Sequence, residues 1–266
     1  MRLFYRKYGS GVPLIILHGL YGSSDNWITI AKSISSLFTV YLPDQRNHGE
    51  SPHSEQHDYE AMSSDLYEFA TENNLKKFYL AGHSMGGKTA IRFAMRWPEM
   101  IMGLVIADIT PFGTSVLNSG SYTEHMNILS TITKIDISAA KTRSDIEKML
   151  EPDIPSARTR ALLLKNVRRN SAGGFEWKIN NKALYDNLDT ITGNIVTGIS
   201  ANEPVTGFPV LFLKGENSAY LPDADMKPIK QLFPAAEFMV IKNAGHWLHT
   251  DNPEAVTAVL MSLPEK

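Results

Sequence analysis

Six short apolar runs rich in Val, Ile, Leu and Phe, at 13–17, 38–42, 77–81, 102–107, 209–213 and 237–241, alternate along the chain with helical patterns. Continuous runs of this length predict strands buried on both faces, and their alternation with helices calls for a mostly parallel sheet covered by helices on both sides. Two of those helices are legible. Residues 59–74 place Met62, Leu66, Phe69 and Ala70 on one face behind Asp58 as N-cap, and 85–97 stop at Pro98. A final helix is expected at 253–263.

The alternation breaks between Pro111 and Pro204, where amphipathic segments at 122–133, 144–150 and 158–167 follow one another. Within this stretch, Ser171-Ala172-Gly173-Gly174 predicts a turn into a short extended piece, Phe175-Glu176-Trp177. The expected organisation is an α/β core from residues 1–110 and 204–266, interrupted by a helical cap at 111–203. A chain of 266 residues with 43 % hydrophobic side chains suffices for one core and a cap.

Lys and Arg number 26 against 28 Asp and Glu, with no block of like charge. The balance speaks against nucleic acid or an anionic membrane as partner and for a small molecule. The absence of cysteine removes disulfides, thiolate metal sites and cysteine nucleophiles together. Residues 1–11 are charged and lack the apolar stretch of a signal peptide, and no run approaches membrane-spanning length, so a cytoplasmic location is expected.

The chemistry concentrates at Gly82-His83-Ser84-Met85-Gly86-Gly87, which follows an apolar run and opens a helix in the pattern of a G-x-S-x-G elbow. A serine on such a sharp turn projects above the sheet, and glycines two residues to either side avoid side-chain clashes. Residues 82–89 also fit G-x-x-x-x-G-K-[ST], and 104–108 resemble an apolar strand ending in a magnesium-binding Asp, so a phosphate-binding loop is the rival reading. That reading leaves His18-Gly19, after the first apolar run, and Gly245-His246, after the last, without a role.

A hydrolytic reading uses both. The turn His18-Gly19-Leu20-Tyr21-Gly22 can present the Leu20 amide beside the Met85 amide, making a two-donor oxyanion hole. His246 is the candidate base for Ser84, since it alone among eight histidines fits the order serine, acid, histidine. His18 and His83 are read as packing beside the site, and His48, His53 and His57 with Asp58 have no regular metal-ligand spacing, so neither metal nor cofactor is called for. The acid is expected at the fourth position of a G-x-x-D turn, but Gly215-Glu216-Asn217-Ser218 ends in a hydroxyl. Asp108, at the end of a neighbouring strand, is the alternative, with Ser218 hydrogen-bonding its carboxylate; Glu216 and Asp223 remain rivals, and Asp108 as a simple cap is the plainer account.

Together these residues resemble the α/β-hydrolase superfamily, and within it the YbfF-type bacterial esterases and their mitochondrial relatives. The resemblance rests on HGLYGSSDNW (18–27), DQRNHGES (44–51), GHSMGGK (82–88), ADITP (107–111), GENSAY (215–220) and NAGHWLH (243–249). It implies an α/β-hydrolase fold with an inserted cap, the acid at Asp108, and an esterase acting on small acyl esters or thioesters. Asp44, Arg46 and Gly49 are read as shaping a loop, Arg46 by pairing with a carboxylate. Carbon–carbon hydrolysis or lyase chemistry on the same residues, and a non-catalytic binding module, are the alternatives. Phe112, Met126, Leu129, Phe175, Trp177 and Leu184 are candidates to line an acyl pocket, although helical spacing favours packing.

Overall fold

The computed structural model describes residues 1–113, 119–196 and 204–263. Seven strands, β1 (Tyr5–Tyr8), β2 (Val12–Leu17), β3 (Phe38–Pro43), β4 (Phe78–His83), β5 (Ile101–Ala107), β8 (Val210–Gly215) and β9 (Ala236–Ile241), form one sheet in the order β1-β3-β2-β4-β5-β8-β9. All pairs are parallel except β1 with β3. β1 was not among the expected strands: Tyr-Arg-Lys-Tyr is a short edge with one face in solvent, so it carries no apolar run.

Alternation along the strands divides the core between the two faces. Ile15 and Leu17 of β2 pack with Leu66 and Phe69 of α2 (Tyr59–Glu72) and with Ile91 and Phe93 of α3 (Met85–Arg96). Leu14 and Ile16 face the other way, onto Ile30 of α1 (Ile28–Ser33) and Val256 and Leu260 of α11 (Pro253–Met261). Asp58 caps α2 as its sequence suggests, its carboxylate accepting the Ala61 amide at 2.8 Å.

Between β5 and β8 the described residues form α4 (Ser119–Lys134), α5 (Arg143–Leu150), α6 (Ala157–Leu164), a hairpin of β6 (Val167–Arg169) with β7 (Phe175–Trp177), α7 (Asn181–Asp186) and α8 (Leu188–Thr192). The boundary expected at 203 lies outside the described residues. Two contacts fasten this stretch near the sheet's carboxyl edge: Asn166 donates to the Tyr21 carbonyl at 2.7 Å, and Arg158 pairs with Asp251 at 2.6 Å while lying over the Trp247 ring. α9 (Met226–Leu232) and α10 (Leu248–Asp251) complete the described helices. Among the described residues no helix is long and apolar enough to cross a membrane.

Candidate active site

Chain order reverses direction across the sheet at β2 and β4, which are neighbours although β3 lies between them in sequence. Open α/β sheets bind ligands at the carboxyl ends of strands around such a point. The His18 turn leaves β2 there and Ser84 leaves β4.

Ser84 has φ of 53° and ψ of −121°, and its amide extends the sheet ladder to the Ala107 carbonyl at 3.0 Å before the chain turns into α3. This is strained for a residue with a side chain, and the turn survives because its neighbours are bare. A Cβ on Gly82 would sit 2.2 Å from the Gly86 carbonyl oxygen, and one on Gly86 2.5 Å from that of His18. Met85 is the first residue of α3, so its N–H has no partner within the helix.

Asp108 repeats the device one strand over. Its amide bonds the Leu213 carbonyl at 2.8 Å, after which φ switches to 53° and turns the carboxylate toward β8. That carboxylate is fully buried. Its Oδ1 accepts the Gly215 amide at 2.9 Å, and its Oδ2 accepts both the Ser218 hydroxyl and His246 Nδ1–H, the latter at 2.8 Å. His246 Nε2 then lies 3.0 Å from Ser84 Oγ. A hydroxyl, an imidazole and a buried carboxylate thus form one hydrogen-bonded line, with the imidazole tautomer set by the carboxylate.

The rival acids lie elsewhere. Glu216 accepts from Lys242 at 2.7 Å and from the Asn243 amide at 2.9 Å, while Asp223 pairs with Lys214. The phosphate-loop reading also loses its groups. Lys88 is buried with Nζ donating to the carbonyls of Thr192 and Gly193 at 3.1 and 2.6 Å, and the Thr89 hydroxyl is engaged by Gln45 and Met85.

Buried histidines surround the line. His18 Nδ1–H donates to the Gly19 carbonyl at 2.9 Å while its Nε2 accepts the Gln45 amide at 2.9 Å, which braces the turn carrying Leu20. His83 Nε2–H donates to the His246 carbonyl at 2.7 Å. Burial first, and the neighbouring His246 second, hold His83 well below the ordinary histidine range and bring His125 to about 4 and His249 to about 3. These rings stay neutral near neutral pH, so they set no fixed positive charge beside His246. His53 Nε2–H donates to the Lys178 carbonyl at 2.9 Å and His57 meets Asn47, and among the described residues no group of three suitable side chains forms a metal site.

Arg46 pairs through two nitrogens with buried Asp65, at 2.6 and 2.9 Å. Asp44 accepts the Ser24 and Glu50 amides, and Gly49, at φ of 58°, leaves room for its carboxylate. Two further side chains beside His246 carry little signal in the sequence. Tyr220 stacks on the His246 ring, and His125 of α4 links its hydroxyl to that of Tyr21. Tyr220 lies two residues past Ser218 and closes the GENSAY stretch, and those are its only signals. Leu129, Phe175 and Leu184 are buried in the core and Phe112, Met126 and Trp177 pack against it, and none of these six is among the described residues lining the cavities that meet at Ser84.

The pattern defining the α/β hydrolase fold family matches residues 12–128. The chain is 38 % identical over 254 residues to the sn-1-specific diacylglycerol lipase ABHD11 of Mus musculus, covering 93 % of this chain and 80 % of that protein. It is 30 % identical over 244 residues to esterase YbfF of Escherichia coli strain K12, covering 92 % and 89 %. A solved structure of a marine microorganism esterase superposes with a TM-score of 0.93 at 45 % identity, covering 98 % of both chains.

Proposed function

The chain belongs to the α/β-hydrolase fold family, and from that premise we propose that it is a serine hydrolase cleaving small carboxylic esters or thioesters through an acyl-enzyme on Ser84. The observation that carries this reading is the line Ser84 Oγ, His246 Nε2, His246 Nδ1, Asp108 Oδ2, with separations of 3.0 and 2.8 Å. Relatives bearing the names lipase and esterase support esters as the substrate class.

In this mechanism His246 takes the Ser84 proton as the hydroxyl attacks the carbonyl carbon, and Asp108 steadies the imidazolium that forms. The Leu20 and Met85 amides receive the oxyanion, Met85 from the positive end of α3. His246 next protonates the leaving group, then activates water against the acyl-enzyme. Ser218 and the Gly215 amide fix the carboxylate so that one lone pair faces Nδ1. We read 111–203 as a cap over this site.

Labelling with a fluorophosphonate and locating the adduct tests the proposal. An adduct on Ser84, with turnover of simple acyl esters lost by about 10⁴-fold in Ser84→Ala, is expected. Near wild-type turnover in that variant rules the mechanism out.

A further inference from the structure

Two cavities meet at Ser84, and they differ greatly in size. One, lined by His246, Gly245, Trp247, Ile128 and Leu162, leaves about 260 Å³ for the centre of a water molecule. It shares Leu20, His83, Arg158, Leu162 and Trp247 with an adjoining cavity of about 210 Å³. The other holds Ser84, Met85, Tyr59, Ile109, Ile191 and Thr192 in its wall, lacks His246 among its described lining residues, and leaves about 30 Å³. On this measure one water needs about 10–15 Å³, so the small cavity has room for about two or three heavy atoms.

Chemistry orients a substrate between them. The proton that His246 Nε2 takes from Ser84 must pass to the leaving oxygen or sulfur, so the leaving group lies on the His246 side. The acyl group then points the other way. Resting on the esterase reading above, we propose that the small cavity is the acyl site, that it admits acyl groups of acetyl to propionyl size, and that the larger cavities take a bulky alcohol or thiol.

The far wall of the small cavity is clamped. It is built from the end of α8, where the Ile191 carbonyl accepts from the Tyr59 hydroxyl at 2.7 Å. Lys88 Nζ, on the helix that carries the nucleophile, holds the Thr192 and Gly193 carbonyls. Moving this wall to admit a longer chain would strand buried polar groups, which costs more than a flexible side chain would. Lys88, the lysine of the phosphate-loop-like motif, is thereby a positioning residue for the acyl wall.

The test uses the intact protein with 4-nitrophenyl esters from acetyl to decanoyl, so that only the acyl group changes. The expected kcat/KM is highest at acetyl or propionyl and falls by about tenfold or more at hexanoyl, the effect of forcing methylenes into a filled site. Ile191→Ala is expected to move the maximum to longer chains. Leu162→Trp, in the larger cavities, should leave the maximum in place and depress acetates of bulky alcohols relative to ethyl acetate. A wild-type maximum at octanoyl or beyond, or a maximum that follows Leu162→Trp, overturns the assignment. Should Ile191→Ala fail to fold, the wild-type and Leu162→Trp profiles decide between the two cavities. Fluorophosphonate labelling in parallel separates the two levels: no adduct on Ser84 removes the esterase reading and this proposal with it, whereas labelling with a long-chain preference removes the proposal alone.

Discussion

The Tyr220 ring lies face to face with the His246 imidazole, centroids 3.6 Å apart and planes inclined by 17°. Its hydroxyl meanwhile accepts from Ser121 Oγ at 2.8 Å and meets His125 Nε2 at 3.4 Å, both on α4. An aromatic face resists rotation of the imidazole and stabilises it when it carries charge, an effect of about 1–2 kcal/mol. Tyr220→Leu should therefore lower kcat by about tenfold. Tyr220→Phe keeps the ring and should retain most of kcat, so steady-state kinetics on the pair tells whether the stack or the bridge to α4 matters.

The acid can be tested by elimination. Asp108→Asn preserves shape but presents an amide to His246 Nδ1, which should cost about 10⁴-fold in kcat. Glu216→Gln and Asp223→Asn alter carboxylates engaged by Lys242 and Lys214, and both variants should stay within about twofold of wild type, as surface ion pairs contribute little. Ser218→Ala removes one of three donors to the Asp108 carboxylate, for an expected loss between these extremes. Equal collapse in Asp108→Asn and Glu216→Gln would contradict the assignment.

Much of this arrangement is legible in the residues because its parts obey local rules. Strands buried on both faces read as apolar runs, and the turns after β2 and β4 carry the glycines their geometry needs. Asp108 is legible through an absence, the hydroxyl where the G-x-x-D turn has a carboxylate, and through the resemblance carried by ADITP at 107–111. What the sequence hides depends on long-range contact. Tyr5–Tyr8 becomes a strand only because β3 offers a partner. Asn181–Asp186 and Leu188–Thr192 are too short to show periodicity and are held by packing. Lys88 looks like a phosphate ligand until α8 is seen to end on its side chain, and Tyr220 has no meaning until His246, far along the chain, folds beneath it.

Gly86 links the Ser84 turn to the His18 turn through bare contact. A Cβ there would stand 2.5 Å from the His18 carbonyl oxygen and 2.6 Å from that of Leu17, both backbone atoms that cannot swing aside. Gly86→Ala must therefore push α3 and the end of β2 apart, moving the Met85 amide relative to Leu20. Loss of one oxyanion donor costs about 10²–10³-fold in kcat, and a loss of this order is expected. Calorimetry on the same variant should show that it remains folded. Wild-type kcat in a folded Gly86→Ala would mean that the two turns are not mechanically coupled.

Lys88 makes folding stability depend on pH in a particular direction. Burial pushes its side-chain amine down to about 7, well below an ordinary lysine at about 10.4. Between these values the unfolded chain holds a proton that the folded chain has released, so this residue's contribution to stability rises with pH across that window. Below about pH 7 both states hold the proton, and the folded state bears the full cost of a buried charge. Lys88→Met has no such group and loses the hydrogen bonds to Thr192 and Gly193 at every pH. Urea unfolding of both proteins at pH 6, 7.5 and 9 should show wild type gaining on the variant at each step upward. A difference that stays constant, or narrows as pH rises, would mean that the carbonyls at the end of α8 keep the ammonium charged in the folded protein.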